Sequence, residues 1–195
     1  MLASVCGWRG VATRLAVFLC LSAAGLPALG GQLVRVTDTD SAASFPASAV
    51  GPAGGVYVVW QDARGNDDDV YAQRYSADGG PYWDKDGLLL VGGARNQWAP
   101  VIASDGDAGF IVAWMDGRNG GADIYAQRFD SDGTALWEPS DGVPVAVAAS
   151  AKDDLKMIAD GSGGCFAVWE DWRDGGQDIY GQHLGADGAA AWTDN

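Results

Sequence analysis

The stretch WMDGRNGGADIYAQRFDSDGTALW, residues 114–137, decides the fold because it occurs three times in the chain. The earlier copy, WQDARGNDDDVYAQRYSADGGPYW, covers residues 60–83, and the later copy, WEDWRDGGQDIYGQHLGADGAAAW, covers residues 169–192. The copies begin at positions 60, 114 and 169, so the period is 54 and then 55 residues. Such a period is typical of stacked supersecondary units that cover one another's apolar faces.

Each copy lies within a unit of four strand-like segments. The second segment is an unbroken apolar run that leads into the first tryptophan, as in FIVAW at residues 110–114. Such a run is typical of a strand covered on both faces. The next segment, IYAQRF in the middle copy, alternates between apolar and polar residues. An Asp-Gly turn follows, and then a fourth segment: LLLV at residues 88–91 or VPVAV at residues 143–147. Pro144 cannot donate to a ladder, so the fourth segment is predicted to be an exposed edge.

These segments predict an all-β, β-propeller-like fold with three four-stranded antiparallel blades and almost no helix. The expected domain covers residues 31–195, with repeat cores at 46–91, 100–147 and 155–192. Residues 32–36, QLVRV, have the pattern of a stray or closing fourth strand. Because propeller rings have about four to eight blades, three blades predict an incomplete ring. The favoured explanation is a longer product; two copies forming a homo-oligomer, or an open arc, are the alternatives.

Residues 1–30 have the pattern of a signal peptide. Arg9 and Arg14 precede the apolar run LAVFLCLSAAGL, which is too short to span a bilayer, and cleavage is expected near Gly30. The mature protein is therefore predicted to be secreted or at the cell surface, without membrane insertion, and the periplasm is the alternative location. Cys165 is the one cysteine after residue 30, and its apolar surroundings indicate a small buried hydrophobe.

The net charge of the chain indicates which classes of partner are unfavourable. The chain has 12 basic and 26 acidic side chains, for a formal net charge of −14. So acidic a surface repels phosphate backbones and anionic lipids, which argues against nucleic acid and membrane surfaces as partners.

The repeated stretches resemble a family of exported bacterial repeat proteins built from W-x-D-x-R and D-I-Y-A-Q-R units. That family is generally treated as β-propeller-like and is mostly uncharacterised, and the resemblance spans about residues 32–192. Its members usually carry more repeats and often a carboxyl-terminal sorting or immunoglobulin-like domain. In addition, SADGGPYW at residues 76–83 is similar to the S-x-D-x-G-x-x-W Asp-box of sialidase-type propellers. In those enzymes the box is a folding device away from the active site, so the resemblance implies the fold and not sialidase activity.

One set of polar residues recurs in every copy. Its members are Asp62, Arg64 and Asp69; Asp116, Arg118 and Asp123; and Asp171, Arg173 and Asp178. A guanidinium can bridge two carboxylates, so we expect each arginine to tie the loop after the second strand to the start of the third. A catalytic site draws different groups from different blades, whereas a set repeated in every blade favours a structural role. We therefore predict no catalytic, cofactor-binding or metal residues.

Calcium and acid catalysis are the minor alternatives for the remaining acids. Asp130, Asp132 and residues 66–69 offer hard oxygen ligands for calcium, but the full calcium loop with a distal Glu is missing, and turn formation is the preferred explanation. Two adjacent carboxylates could serve glycoside hydrolysis if they stood at the required separation. The adjacent pairs are Asp67 with Asp68 and Asp153 with Asp154.

Three further side chains differ from the residues at the equivalent positions of the other copies. His183 stands where the other copies have Arg74 and Arg128, so we interpret it as a replacement for a structural group. Trp98 and Trp172 do not recur; exposed indoles are platforms for sugars or partner proteins, although packing is the favoured interpretation.

Together these features predict an exported, non-enzymatic β-propeller module that binds a protein or a glycan. Two alternatives stay open: a glycan-active hydrolase of sialidase-like propeller type, and a lectin with one shallow site per blade.

Overall fold

The computed structural model describes residues 33–192. The expected signal peptide at residues 1–30 lies outside this range, as does Gln32. Within the range the chain is all-β: strands form three antiparallel sheets, and one short 3₁₀ turn at Pro52–Gly54 interrupts them. No helix in residues 33–192 is long and apolar enough to cross a bilayer.

Each sheet is one repeat, and its strands lie side by side in chain order. Blade 1 contains β1 (Ala43–Val50), β2 (Val56–Asp62), β3 (Asp69–Tyr75) and β4 (Leu88–Val91). Blade 2 contains β5 (Gln97–Ser104), β6 (Phe110–Asp116), β7 (Asp123–Phe129) and β8 (Val143–Ala146). Blade 3 contains β9 (Lys152–Ala159), β10 (Cys165–Asp171) and β11 (Asp178–Leu184). The prediction of four strands per blade is thus confirmed for blades 1 and 2, and three strands of blade 3 lie in the described range.

The blades stack face to face, with blade 2 in the middle. Trp114 and Val112 of β6 pack towards blade 1 against Tyr57. Ala113, on the opposite face of β6, packs towards blade 3 against Trp169. Every residue of β6 is buried, as the unbroken apolar run predicted. Each large apolar side chain buried in this way contributes about 1.5–3 kcal/mol, so the stacking itself is the main source of stability.

The position of the strands within a blade also follows the prediction. The first strands, β1, β5 and β9, lie next to one another on the inner side of the stack. The fourth strands form the outer edges, and Pro144 of β8 pairs with Tyr125 of β7 at such an edge. The three sheets form an arc that does not close into a ring within residues 33–192. The fold is therefore β-propeller-like, with an incomplete ring of three blades.

The first strand of each blade begins three residues before the predicted core boundary, at Ala43, Gln97 and Lys152. The reason is a β-bulge that recurs opposite the first tryptophan of each copy, where two residues face one. The first residue of each bulge has a positive φ: 50° at Phe45, 48° at Ala99 and 49° at Asp154. The strand continues on both sides of the bulge, whereas the proline at the second bulge position in blades 1 and 2 had suggested a strand start.

The strand expected at residues 32–36 is not formed in its described part. Residues 33–36 belong to no strand, and Arg35 alone has a bridge conformation. Val36 is instead buried in a cluster with Val58 and Trp60 on the outer face of blade 1. Its apolar side chain thus covers a sheet face and does not complete a blade.

Candidate functional site

The recurring polar set folds into one compact arrangement, which we call the Trp–Asp–Arg–Tyr cluster. In blade 2 the carboxylate of Asp116 is fully buried and accepts hydrogen bonds from Trp114 Nε1 and from the backbone and Nη2 nitrogens of Arg118, each 2.8 Å long. The guanidinium of Arg118 lies 4.1 Å from the centroid of the Tyr125 ring. This stacking is a cation–π contact.

Blades 1 and 3 contain the same cluster with nearly the same distances. Trp60 and Trp169 each donate from Nε1 over 3.1 Å to the buried aspartate two residues later. The arginine–carboxylate distance is 2.6 Å in both blades. The corresponding members are Asp62, Arg64 and Tyr71 in blade 1, and Asp171, Arg173 and Tyr180 in blade 3. A geometry repeated so closely is a property of the fold.

Hydrogen bonds in the cluster lower the pKa of two of its aspartates, Asp62 and Asp171. Burial acts to raise the pKa of Asp62, but hydrogen bonds from Arg64, Ser41 and Trp60 outweigh it, so the pKa lies below its ordinary value of 3.8. The same balance holds the pKa of Asp171 low. A carboxylate that is buried, ionised and already hydrogen-bonded can neither donate a proton near neutral pH nor reach a substrate.

The predicted bridge from each arginine to a second aspartate is wrong. The guanidinium contacts the first aspartate and stacks on the tyrosine, so the second aspartate is left to other partners. Asp69 is partly buried and its pKa is raised by burial. Asp123 lies 3.6 Å from the buried Nζ of Lys152, and Asp178 is exposed. The three equivalent acids therefore occupy the same strand position but have different surroundings.

A structural residue that the sequence pattern did not reveal is the glutamine of the Y-A-Q-R motif. Gln127 is buried; its Nε2 donates to the carbonyls of Trp137 and Pro139 at 3.1 Å, and its Oε1 accepts from Trp137 N at 2.9 Å. Gln73 and Gln182 hold the second tryptophans of their copies in the same way. The exact recurrence of this glutamine was the signal that could have revealed it.

The second recurring tryptophan joins one blade to the next. Trp137 Nε1 donates to Ala186 O of blade 3 at 2.8 Å, and its ring lies against Gly188 in the Asp-Gly turn of that blade. Arg74 of blade 1 likewise donates to Ser131 O in the turn of blade 2 at 3.1 Å. The Asp-Gly turns are therefore contact points between blades.

The Asp-box-like stretch and the first calcium candidate are both closed turns. Ser76 exchanges hydrogen bonds with Gly80 and contacts Asp78. Asp130 accepts the backbone nitrogens of Asp132 and Thr134 at 2.9 Å, which is the expected turn geometry.

The remaining acids do not converge either. Within residues 33–192 no three acidic, histidine or cysteine side chains are grouped as a metal site would require. Asp67 accepts from the backbone of Arg95, and Asp154 pairs with Lys156 at the surface.

His183 takes the place of an arginine, as the alignment of the copies indicated. Its Nε2 lies 2.9 Å from Asp160, and Arg128 Nε lies 3.0 Å from Asp105 at the same position of blade 2. The hydrogen bond from His183 lowers the pKa of Asp160 well below the ordinary range.

Three surface features are not shared by the three blades. Trp98 is partly buried and lines a shallow, open depression with Asp67 and Arg95. A second groove of about 430 Å³ lies between β8 and β11, where Trp169 and Trp192 line it. Trp172 is exposed on the loop after β10.

The comparisons with known proteins give no sequence match and one structural similarity. No family model matches the sequence, and no curated protein matches it either. Among solved structures the chain is similar to the endo-arabinase from Bacteroides thetaiotaomicron VPI-5482, with 14% sequence identity and a TM-score of 0.49. The match covers 77% of this chain and 59% of the arabinase, so the chain spans less than two thirds of that protein.

Proposed function

We propose that this chain is an exported, non-enzymatic β-propeller module that binds a protein or glycan partner through its surface. The observation that supports this function is the use of the recurring polar groups. In every blade the aspartate and arginine of the cluster are engaged with each other, with an indole and with a phenol ring. Groups held in this way stabilise the fold, and binding is left to the surface features that do not recur.

A lectin with one shallow site per blade is less well supported. Such a lectin needs an exposed aromatic platform at the same place in each blade. The first recurring tryptophans, at positions 60, 114 and 169, are all buried. Trp137 is buried as well, whereas its equivalent Trp192 is about half exposed. The recurring tryptophans therefore do not give each blade the same exposed platform.

The experiment combines a glycan array, a chromogenic glycoside panel and a binding stoichiometry on the purified protein. The binding-module proposal expects no turnover of any glycoside, and saturation near one ligand per chain for whichever partner binds. Turnover that copurifies with the protein would establish the hydrolase alternative, and saturation near one ligand per blade would establish the lectin.

A further inference from the structure

The contact between blades 2 and 3 contains a buried ammonium group. Lys152 is the first residue of β9, and its side chain is buried. Its Nζ donates to the carbonyl oxygen of Ala148 at 2.8 Å and to those of Ala122 and Ser150 at 3.2 Å. Asp123, the first residue of β7, lies 3.6 Å from the same nitrogen. Three carbonyls and one carboxylate therefore surround a single positive charge between these two blades.

The contact between blades 1 and 2 has a glutamine where this lysine stands. Gln97 begins β5 as Lys152 begins β9, and its Nε2 donates to Arg95 O at 3.0 Å. The backbone nitrogen of Gln97 donates to Asp68 O at 2.7 Å, which places Gln97 beside the start of β3. The equivalent pairs are Gln97 and Lys152, Asp69 and Asp123, Asp68 and Ala122, Gly93 and Ala148, and Arg95 and Ser150.

Asp69 has lost both side-chain partners of its equivalent in blade 2. Asp123 accepts from Nδ2 of Asn119 at 2.9 Å and lies beside the ammonium of Lys152. Gly65 stands at the position of Asn119, and a glycine has no side chain with which to donate. Gln97 stands at the position of Lys152 and brings no charge. The carboxylate of Asp69 therefore needs another partner.

Two buried oxygen atoms meet this description. Oδ1 of Asp69 and Oε1 of Gln97 are both buried, and neither has a hydrogen-bond partner among residues 33–192. The side chain of Gln97 is 2% exposed. Its orientation is fixed, because turning the amide over would place Oε1 against the carbonyl oxygen of Arg95. Buried acceptors of this kind are satisfied in folded proteins by a water molecule or by an ion.

The charges around the two oxygens favour an ion over water. Burial raises the pKa of Asp69, and the neighbouring carboxylates of Asp67, Asp68 and Asp62 raise it further. A cation placed here relieves this repulsion, whereas a neutral water molecule does not. Carboxylate, amide and backbone carbonyl oxygens are the ligands that hard metal cations prefer.

We propose that the contact between blades 1 and 2 binds one hard metal cation through the carboxylate of Asp69 and the amide oxygen of Gln97. The ion takes the place that the ammonium of Lys152 has between blades 2 and 3, and nearby backbone carbonyls complete its ligands. One carboxylate balances one positive charge, so potassium or sodium is the expected ion, and calcium is tested beside them. The ion joins the start of β5 to the start of β3, and this role is independent of any partner that the module binds.

The test measures the melting temperature of the purified protein at fixed ionic strength. The reference buffer contains tetramethylammonium chloride after treatment with a chelator, and part of this salt is then replaced by potassium, sodium or calcium chloride. At several times its dissociation constant the bound ion should raise the melting temperature by about 2–4 °C. The salt that gives the rise identifies the ion. Equal melting temperatures in all four salts would overturn the proposal in favour of a bound water.

Two variants distinguish this site from a general effect of salt on an acidic protein. Gln97→Lys supplies the ammonium of the neighbouring contact, so it should melt above the unaltered protein in the reference buffer and should not respond to the metal salts. Asp69→Asn removes the charged ligand; it should also lose the response, and should melt no lower than the unaltered protein in the reference buffer. Ser48→Lys is the matched control because it adds the same charge at an exposed position of β1, and it should keep the response.

A response of Gln97→Lys equal to that of the unaltered protein would overturn the proposal. Loss of the response in Ser48→Lys would overturn it as well, since the net charge and not the site would then control stability. If Gln97→Lys does not fold, the comparison with Asp69→Asn decides: a response that persists in Asp69→Asn excludes the site, and a response that disappears there supports it.

Discussion

Replacing Asp116 with asparagine should destabilise the protein severely if the recurring cluster is structural. The carboxylate is fully buried and accepts three hydrogen bonds, from Trp114 Nε1 and from two nitrogens of Arg118. An asparagine of the same shape retains one acceptor oxygen and turns an amide nitrogen towards a donor. At least one buried donor loses its partner at about 1–3 kcal/mol, and the remaining bonds lose their charge, so we expect about 3 kcal/mol in all.

The free energy of unfolding is measured by urea titration of the tryptophan fluorescence. Asp132→Asn is the matched control because Asp132 is an exposed acid of the same blade, and it should change stability by less than about 0.5 kcal/mol. If Asp116→Asn were as stable as the control, the buried cluster would not stabilise the fold. The acid–arginine set would then need another explanation, and catalysis would again be a candidate.

Three further outcomes follow from the structure. Lys152→Met should cost about 3–5 kcal/mol in the urea titration, since it leaves the buried Asp123 without its cationic partner, whereas Lys156→Met at an exposed site should be nearly neutral; equal effects would contradict the pairing. Burial raises the pKa of the Cys165 thiol to about 12, so iodoacetamide should alkylate it at pH 8 only after urea unfolds the chain, and rapid labelling of the folded protein would refute this. The folded pKa of Asp171 lies below its ordinary value of 3.8, so the stability it provides is present above that pH and is lost as the pH falls further; Asp171→Asn should flatten the acid limb of stability against pH.

The sequence predicted the parts of the fold that depend on period and polarity. FIVAW marked β6 as buried on both faces, and Pro144 marked β8 as an edge, because both depend on which backbone or side-chain groups meet water. The bulge at Ala99 could not be predicted, since it is a matter of register against Trp114. Gln127 lies in a segment that alternates between apolar and polar residues, yet its amide is buried by the return of its own chain. Contacts between residues far apart in the sequence decide the register of such a bulge and the burial of such a side chain.

The candidate site was harder to predict from the sequence than the fold, because equivalent residues of one repeated motif have different neighbours. Ile124 is fully buried and Ile179 is 71% exposed, although the two residues occupy the same position in the same motif. The difference lies in their neighbours: blade 3 covers Ile124, and no described blade covers Ile179. A motif therefore states how a blade is built, whereas the burial of its residues depends on which blade covers them. Residues that recur with equal burial, such as Trp60 and Trp114, hold the blades together.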